Sequence, residues 1–378
     1  MPRMQITRES DVIETSRVKQ FSGIFDIPPA KKTQEAWDVN LPLDEKEWNI
    51  GLIVGPSGCG KTTIINEFFP NDIYNEFEWD GKKSIMDSFP LEMGIKDITG
   101  ILNSVGFSSP PSWVRPYHVL SNGEKFRVNI ARALAESKDL CVIDEFTSVV
   151  DRTVGKIGSY AVSKAVRRKQ KKFIAVSCHY DIEEWLQPDW VYRVEEASFQ
   201  WRSLRRRPEI KLEVVKVHTK AWEIFKKHHY LSAKIHRNAQ CFVGYWEGIP
   251  IAFVAHMHFI NNRLFKTKTA HRAVVLPDYQ GAGIGNQLMT FIASAVTGAG
   301  FDYIGRGANH AMVYTGAKSK KWKMIRKPEV SLRKNPKRNK SEKHVIGNHI
   351  GRMVATFRYI GPKMEKQDAE ELLGIVKN

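Results

Sequence analysis

The chain has 378 residues, a net charge of +17, 26% charged and 42% hydrophobic residues, a globular composition that is long for one ordinary domain and sufficient for two. No apolar run reaches the roughly 18 to 20 residues of a membrane-spanning helix, and residues 1–8 (MPRMQITR) lack the apolar core of a signal peptide, so a cytoplasmic protein with no membrane partner is expected. Cys59, Cys141, Cys178 and Cys241 are scattered without a CxxC pair, which argues against a disulfide framework or a zinc site.

In chain order, continuous apolar runs predict buried strands at residues 49–54 (NIGLIV), 140–144 (LCVID) and 173–177 (FIAVS), as in parallel sheets covered on both faces. Residues 123–136 read as a helix. A basic, proline-ended stretch at 201–208 (WRSLRRRP) is the expected boundary between domains at 1–200 and 201–378. Charge divides at the same place. Residues 1–200 hold 25 Lys+Arg against 29 Asp+Glu, and residues 201–378 hold 33 against 12, a net +21. A basic half facing a polyanion follows. Its strands are predicted at 209–217, 241–246, 251–259 and 273–276, with a Glu247-Gly248 turn and a helix at 287–296.

The first strand runs into Gly55-Pro56-Ser57-Gly58-Cys59-Gly60-Lys61-Thr62-Thr63. Such a glycine-rich strand-to-helix loop turns backbone N–H groups onto phosphate oxygens; Lys61 reaches the terminal phosphates, and the Thr62 hydroxyl can ligate magnesium. Downstream, Leu120-Ser121-Asn122-Gly123-Glu124 opens a helix and can hold an anion there, although a plain helix cap also explains Ser121. Asp144 and Glu145 end the second strand, where one carboxylate can hold Mg2+ and the other polarise a water. His179 follows the third strand.

In this order the segments resemble the P-loop, signature, Walker B and switch histidine of the ABC ATPases, over about residues 15–200. The resemblance implies that Gly55, Ser57, Gly58, Cys59, Gly60, Lys61, Thr62, Thr63, Ser121, Gly123 and Glu124 bind ATP. It further implies Mg2+ at Thr62, Asp87 and Asp144, catalysis by Glu145 and His179, a D-loop at Ser148–Asp151, and an ATP-dependent homodimer. Phe25 and Trp37 are candidates for stacking on adenine. Two departures stand out. Asp87 occupies the place of the family's glutamine, since no glutamine occurs between Gln34 and Gln170. The region between Asp80 and Leu120 is also short.

The basic half carries Ala273-Val274-Val275-Leu276-Pro277-Asp278-Tyr279-Gln280-Gly281-Ala282-Gly283-Ile284-Gly285, which resembles motif A of the GNAT acyltransferases. That implies a pyrophosphate cradle for acetyl-CoA at Val275, Gln280, Gly281, Ala282, Gly283, Ile284 and Gly285. The preceding strand would splay from its neighbour so that a backbone amide faces the thioester. His228, His229, Tyr230 and Tyr314 are candidates for acid–base work, with Asn309 nearby; an ordinary helix-end pair accounts for the two histidines equally well. The half is also similar to the Mom family of phage DNA-modifying GNAT proteins, through the HHYL run, motif A and the basic surface.

Residues 318–343 pack twelve Lys+Arg against Glu329 and Glu342. Lys318, Lys320, Lys321, Lys323, Arg326 and Lys327 would neutralise phosphates, and Trp322 would stack on an unpaired base. The expected fold is α/β, an N-terminal P-loop ABC ATPase domain plus a C-terminal α/β GNAT-like domain. The expected function is ATP-dependent, nucleic-acid-directed N-acyl transfer or DNA base modification with ATP, Mg2+ and acetyl-CoA, on DNA in preference to RNA. Two other readings stay open: a DNA-binding ABC ATPase of repair or defence whose GNAT-like domain only grips nucleic acid, and a protein N-acetyltransferase.

Overall fold

The computed structural model describes residues 3–26, 32–202, 207–229, 234–259, 266–307, 310–330 and 353–375. Two compact units interleave along the chain: Met1–Glu78 with Asn129–Pro208, and Trp79–Val128 with Glu209–Asn378. A single cut near residue 200 differs from this in one segment, residues 79–128, which carry Asp87 and the LSNGE pentapeptide and cluster with the C-terminal half.

In the first unit, β1 (Met4–Asp11) and β2 (Lys32–Val39) pair antiparallel. A five-stranded sheet holds β3 (Ile50–Val54), β4 (Leu140–Ile143), β5 (Lys172–Ser177), β6 (Trp190–Arg193) and β7 (Ser198–Trp201) in the order β4-β5-β3-β6-β7. The first four are mutually parallel, and β7 closes one edge antiparallel. All five residues of β3 are buried, as its unbroken apolar run requires. The Asp189 carboxylate fixes where β3 starts, accepting from the Asn49 N–H (2.8 Å) and the Ile50 N–H (2.9 Å) while paired with Arg167 (2.9 Å). Beside β3 the Trp190 indole fills the space over Gly51, where a Cβ would lie 2.1 Å from the ring. Gly51→Ala is therefore expected to overpack this core and cost about 1–3 kcal/mol, read as a lower denaturant midpoint; an unchanged midpoint would show that the indole yields freely.

The second unit is built on β8 (Glu213–Val217), β9 (Gln240–Trp246), β10 (Ile249–His258), β11 (Thr267–Val275), β12 (Asp302–Gly307), β13 (Trp322–Val330) and β14 (Met353–Tyr359). Their order is β13-β14-β12-β11-β10-β9-β8. The β9–β10 hairpin turns at Glu247 (φ 50°) and Gly248 (φ 78°), the two left-handed positions of a tight two-residue loop. β11 and β12 are parallel, joined by the helix Ile284–Gly298, which buries Leu288, Ile292, Ala293 and Val296. Their pairing covers only Thr267–Thr269 against Asp302–Ile304. Beyond Thr269, β11 continues to Val275 paired with β10 alone among the described strands. That divergence opens the end of the sheet where motif A begins.

A buried polar network ties β9, β10 and β11. The Gln240 Oε1 accepts from Lys268 Nζ (2.8 Å) and from His256 Nε2 (2.7 Å). Burial, then the Lys268 charge, holds His256 down to about 3, and burial lowers Lys268 to about 8. The folded state thus keeps His256 neutral, whereas the unfolded chain takes up its proton below about pH 6.5. Stability is accordingly lost as pH falls from about 6.5 towards 3, on the order of 2 kcal/mol by pH 5 from this group. Melting curves at pH 7.5 and pH 5 should show the drop, with a smaller one in His256→Gln. An equal drop in both proteins would assign the effect elsewhere.

Candidate functional site

The first site grows out of β3. Residues 55–60 turn sharply, with Gly58 (φ 83°) and Gly60 (φ 94°) in the left-handed region that favours glycine. They deliver the chain to the helix Lys61–Phe68, whose leading end has no side-chain cap, so the first amides are free to meet an anion. Lys61 Nζ lies over the loop, donating to the carbonyls of Gly55 (2.9 Å) and Pro56 (2.6 Å). Ser57 and Gly58 form the exposed tip, Cys59 is half-buried and Thr63 is buried beneath. Trp37 braces the loop from β2: its indole N–H donates to the Cys59 carbonyl (2.9 Å), and a Cβ on Gly60 would fall 2.4 Å from its ring. Phe25 instead lies exposed against Phe21.

The Thr62 hydroxyl donates to Asp144 Oδ2 at 2.5 Å, so the two oxygens expected to hold Mg2+ already adjoin. Asp144 is itself fixed: its N–H donates to Asn75 Oδ1 (2.8 Å), and its Oδ1 accepts from the Glu145 N–H (2.8 Å). Glu145 takes φ 50°, a kink after β4 that leaves its side chain exposed. The His179 N–H donates to Ser177 Oγ (3.0 Å), and its ring Nδ1 lies 3.2 Å from Thr147 Oγ1. Burial and then the Arg152 charge lower its pKa, against Asp181, which favours the neutral ring. Asp151 caps the helix Arg152–Lys169 through the Val154 N–H. Asn75 and Thr147 escaped the sequence reading because neither sits in a motif.

Asp87, Ser121, Gly123 and Glu124 belong to the second unit. The Asp87 carboxylate accepts from the Ser84 hydroxyl (2.5 Å). Ser121 and Glu124 form a reciprocal capping box: Ser121 Oγ accepts from the Glu124 N–H (3.3 Å), and Glu124 Oε2 from the Ser121 N–H (3.0 Å). Glu124 Oε1 accepts from Ser112 Oγ (2.7 Å). Both residues therefore start the helix Asn122–Glu136.

The motif A loop is a second glycine-rich turn of this kind. Gly281 (φ 97°) and Gly283 (φ 88°) are left-handed, and a Cβ on Gly283 would meet nothing within 4 Å. Ala282 and Ile284 are buried and anchor the turn. The helix Ile284–Gly298 starts without a side-chain cap, leaving its first amides for an anion. Gly285 packs on Val275, a Cβ there lying 3.0 Å from Val275 Cγ2. Gln280 directs its side chain away from this role: Nε2 donates to the Val275 carbonyl (3.0 Å), and Oε1 accepts from the Ser108 N–H (3.0 Å).

His228 is half-buried; burial and then Lys227 lower its pKa, against Asp278 and Glu124. His229 lies edge-on to Trp222, centroids 5.5 Å apart. Tyr230 and Asn309 lie outside the described residues. The Tyr314 hydroxyl accepts from Lys318 Nζ (2.5 Å) on the helix His310–Lys318. The sequence reading passed over His271, the extra residue where the β10–β11 register shifts. Its Nε2 accepts from the His236 N–H (3.1 Å), and burial, then Arg272, holds it down to about 4.

Lys318, Lys320, Lys321, Lys323, Arg326 and Lys327 are all exposed, and the last three line β13, an edge of the described sheet. Lysines also guard edge strands against mispairing. Residues 331–343 of the cationic run lie outside the described residues. Trp322 corrects the expectation of base stacking. It is 6% exposed, packs edge-on to Tyr303 and Tyr359, and donates its indole N–H to Thr290 Oγ1 (3.1 Å); it is a core residue of β13.

Residues 237–318 match the acetyltransferase (GNAT) domain family. The chain is also similar to an ABC transporter of Fusarium pseudograminearum (strain CS3096), 30% identical in an alignment 182 residues long that covers 36% of this chain and 14% of that protein. It is 25% identical over 201 residues to a taurine import ATP-binding protein of Jannaschia sp. (strain CCS1), covering 45% of this chain and 73% of that one. Among solved structures, it is similar to the dimeric post-hydrolysis state of an ATP-binding cassette bound to ADP and Pi, at 17% identity, 46% and 93% coverage and a TM-score of 0.35. The chain thus combines an ABC-ATPase-like N-terminal part with a C-terminal GNAT acetyltransferase domain. Among the described residues no helix is long and apolar enough to cross a membrane.

Proposed function

We propose that this chain is an ATP-dependent acyltransferase acting on a nucleic-acid amine, with acetyl-CoA as acyl donor and the ABC-like part, working as an ATP-dependent dimer, as its motor or clamp. The observation that carries this reading is the open glycine cradle at Gly281–Gly285, set where β11 and β12 diverge, in a chain that also has a braced P-loop with Thr62 against Asp144. Bound at the first site, ATP with Mg2+ supplies a hydrolysable phosphoanhydride. Lys61 and the loop amides bind its phosphates, Thr62 and Asp144 hold the metal, and Glu145 takes the proton of the attacking water.

At the second site the amides of Gly281 to Gly285 hold the donor's pyrophosphate, and the stretch of β11 beyond Thr269, paired with β10 but no longer with β12, receives the thioester arm. The acceptor amine forms a bond to the acyl carbon while the C–S bond breaks. The amine gives up one proton and the departing thiolate takes one. The net +21 of residues 201–378 and the exposed cations of β13 support a polyanionic acceptor; base modification of the Mom type is the finer form of this reading.

Incubation with ATP, labelled acetyl-CoA, plasmid DNA, RNA and lysate protein tests it. Label is expected in nucleic acid. Label confined to protein would favour protein N-acetylation, and nucleic-acid-stimulated ATP hydrolysis without acetyl-CoA binding would reduce the second cradle to a gripping module.

A further inference from the structure

The segment carrying the LSNGE pentapeptide is built into the second cradle, and the contact is backbone to backbone. Gly106, at φ 86°, approaches so closely that a Cβ on it would lie 2.6 Å from the Gln280 carbonyl oxygen and 3.3 Å from the Gly281 Cα. Two residues on, the Ser108 N–H holds the Gln280 side chain, which also grips the end of β11 at Val275. A second link starts inside the pentapeptide. Arg127 is 1% exposed. Its Nη1 donates to the Gly123 carbonyl (3.3 Å), and its Nη2 to the Asp278 carbonyl (3.1 Å). Asp278 lies in the short turn Pro277–Tyr279 that leads directly into Gln280. His228 also feels the charges of both Asp278 and Glu124.

Burying an arginine is costly unless its donors find acceptors, and here the two terminal nitrogens of one guanidinium join the residue expected to meet ATP to the turn that aims the acyl-CoA loop. The helix between Gly123 and Arg127 is continuous, so the backbone that carries Arg127 moves with the pentapeptide, and its side chain contacts the Asp278 carbonyl.

We infer that Arg127 and Gln280 are positioning residues that couple the two ligands: engagement of ATP by Ser121–Glu124 sets the affinity of Gln280–Gly285 for acetyl-CoA. This rests on the function proposed above. Coupling of binding energies is reciprocal, so acetyl-CoA must change ATP affinity by the same factor.

The test uses the full chain and calorimetry. Acetyl-CoA is titrated with and without a non-hydrolysable ATP analogue plus Mg2+, and the analogue with and without acetyl-CoA. A shift of about tenfold, equal in both directions, is expected. In Arg127→Lys, whose ammonium cannot span both carbonyls, each ligand should still bind but the factor should fall towards one, with the melting midpoint recording that the variant is folded. Acetyl-CoA binding that ignores the analogue in the wild type would overturn the coupling and leave the function standing. A coupling factor undiminished in folded Arg127→Lys would overturn the role of Arg127. Absence of any acetyl-CoA binding would instead strike the proposed function itself.

Discussion

Glu145→Gln is expected to lower ATP turnover by about 10²–10⁴-fold, the usual worth of a positioned general base, while leaving ATP affinity within about threefold. The substitution keeps size and shape, and the left-handed backbone at Glu145 (φ 50°) is strained for either side chain. What it removes is the carboxylate that accepts a proton. The groups that bind phosphate and Mg2+ stay in place: Lys61 over the loop, and Thr62 against Asp144, itself held by Asn75. Steady-state phosphate release and nucleotide binding by fluorescence separate the two effects. Unchanged hydrolysis would remove Glu145 from the chemistry, and a parallel loss of binding would mean that it holds the loop instead.

Gly283→Glu is expected to weaken acetyl-CoA binding by at least about 10²-fold. Three effects act together: a carboxylate enters a cradle of amides made for anions, a side chain occupies the approach to those amides, and φ 88° is forced on an L residue at roughly 1–2 kcal/mol. The last is a folding effect and has an internal control. Gly300 has nearly the same backbone (φ 87°) and the same open space around its missing Cβ, but lies in the turn after the helix. Gly300→Glu carries the same strain and charge away from the cradle, so it should lower stability similarly and leave acetyl-CoA binding intact. Equal losses of binding in both variants would show that strain, not the cradle, is responsible.

Much of both sites was legible in the sequence because phosphate binding constrains the backbone. Glycines at fixed spacing between a strand and a helix leave few other readings, and Gly58, Gly60, Gly281 and Gly283 all adopt the left-handed conformations that explain their presence. What stayed hidden has a common cause: polar residues placed inside. The strand predicted at 273–276 in fact begins at Thr267, because Lys268 and His271 interrupt the apolar pattern, although Lys268 is buried against Gln240. Arg127 follows the pentapeptide on a helix where arginine reads as a solvated residue, yet it is almost wholly buried. Trp322 misled in the opposite direction. Its cationic neighbours point outward from an edge strand, and the period-two alternation puts the indole on the inner face with Met324. Which segments pack together was equally beyond reach: nothing in residues 79–128 announces that Gly106 must touch the chain at Gln280.

The most direct measurement is mass spectrometry of nucleosides from plasmid DNA and from RNA after incubation with the full chain, Mg2+, ATP and acetyl-CoA. The expected result is an acylated nucleoside that disappears when ATP is left out, when acetyl-CoA is left out, or in Gly283→Glu. Unmodified nucleosides from both substrates, from a protein shown by calorimetry to bind acetyl-CoA, would contradict the account.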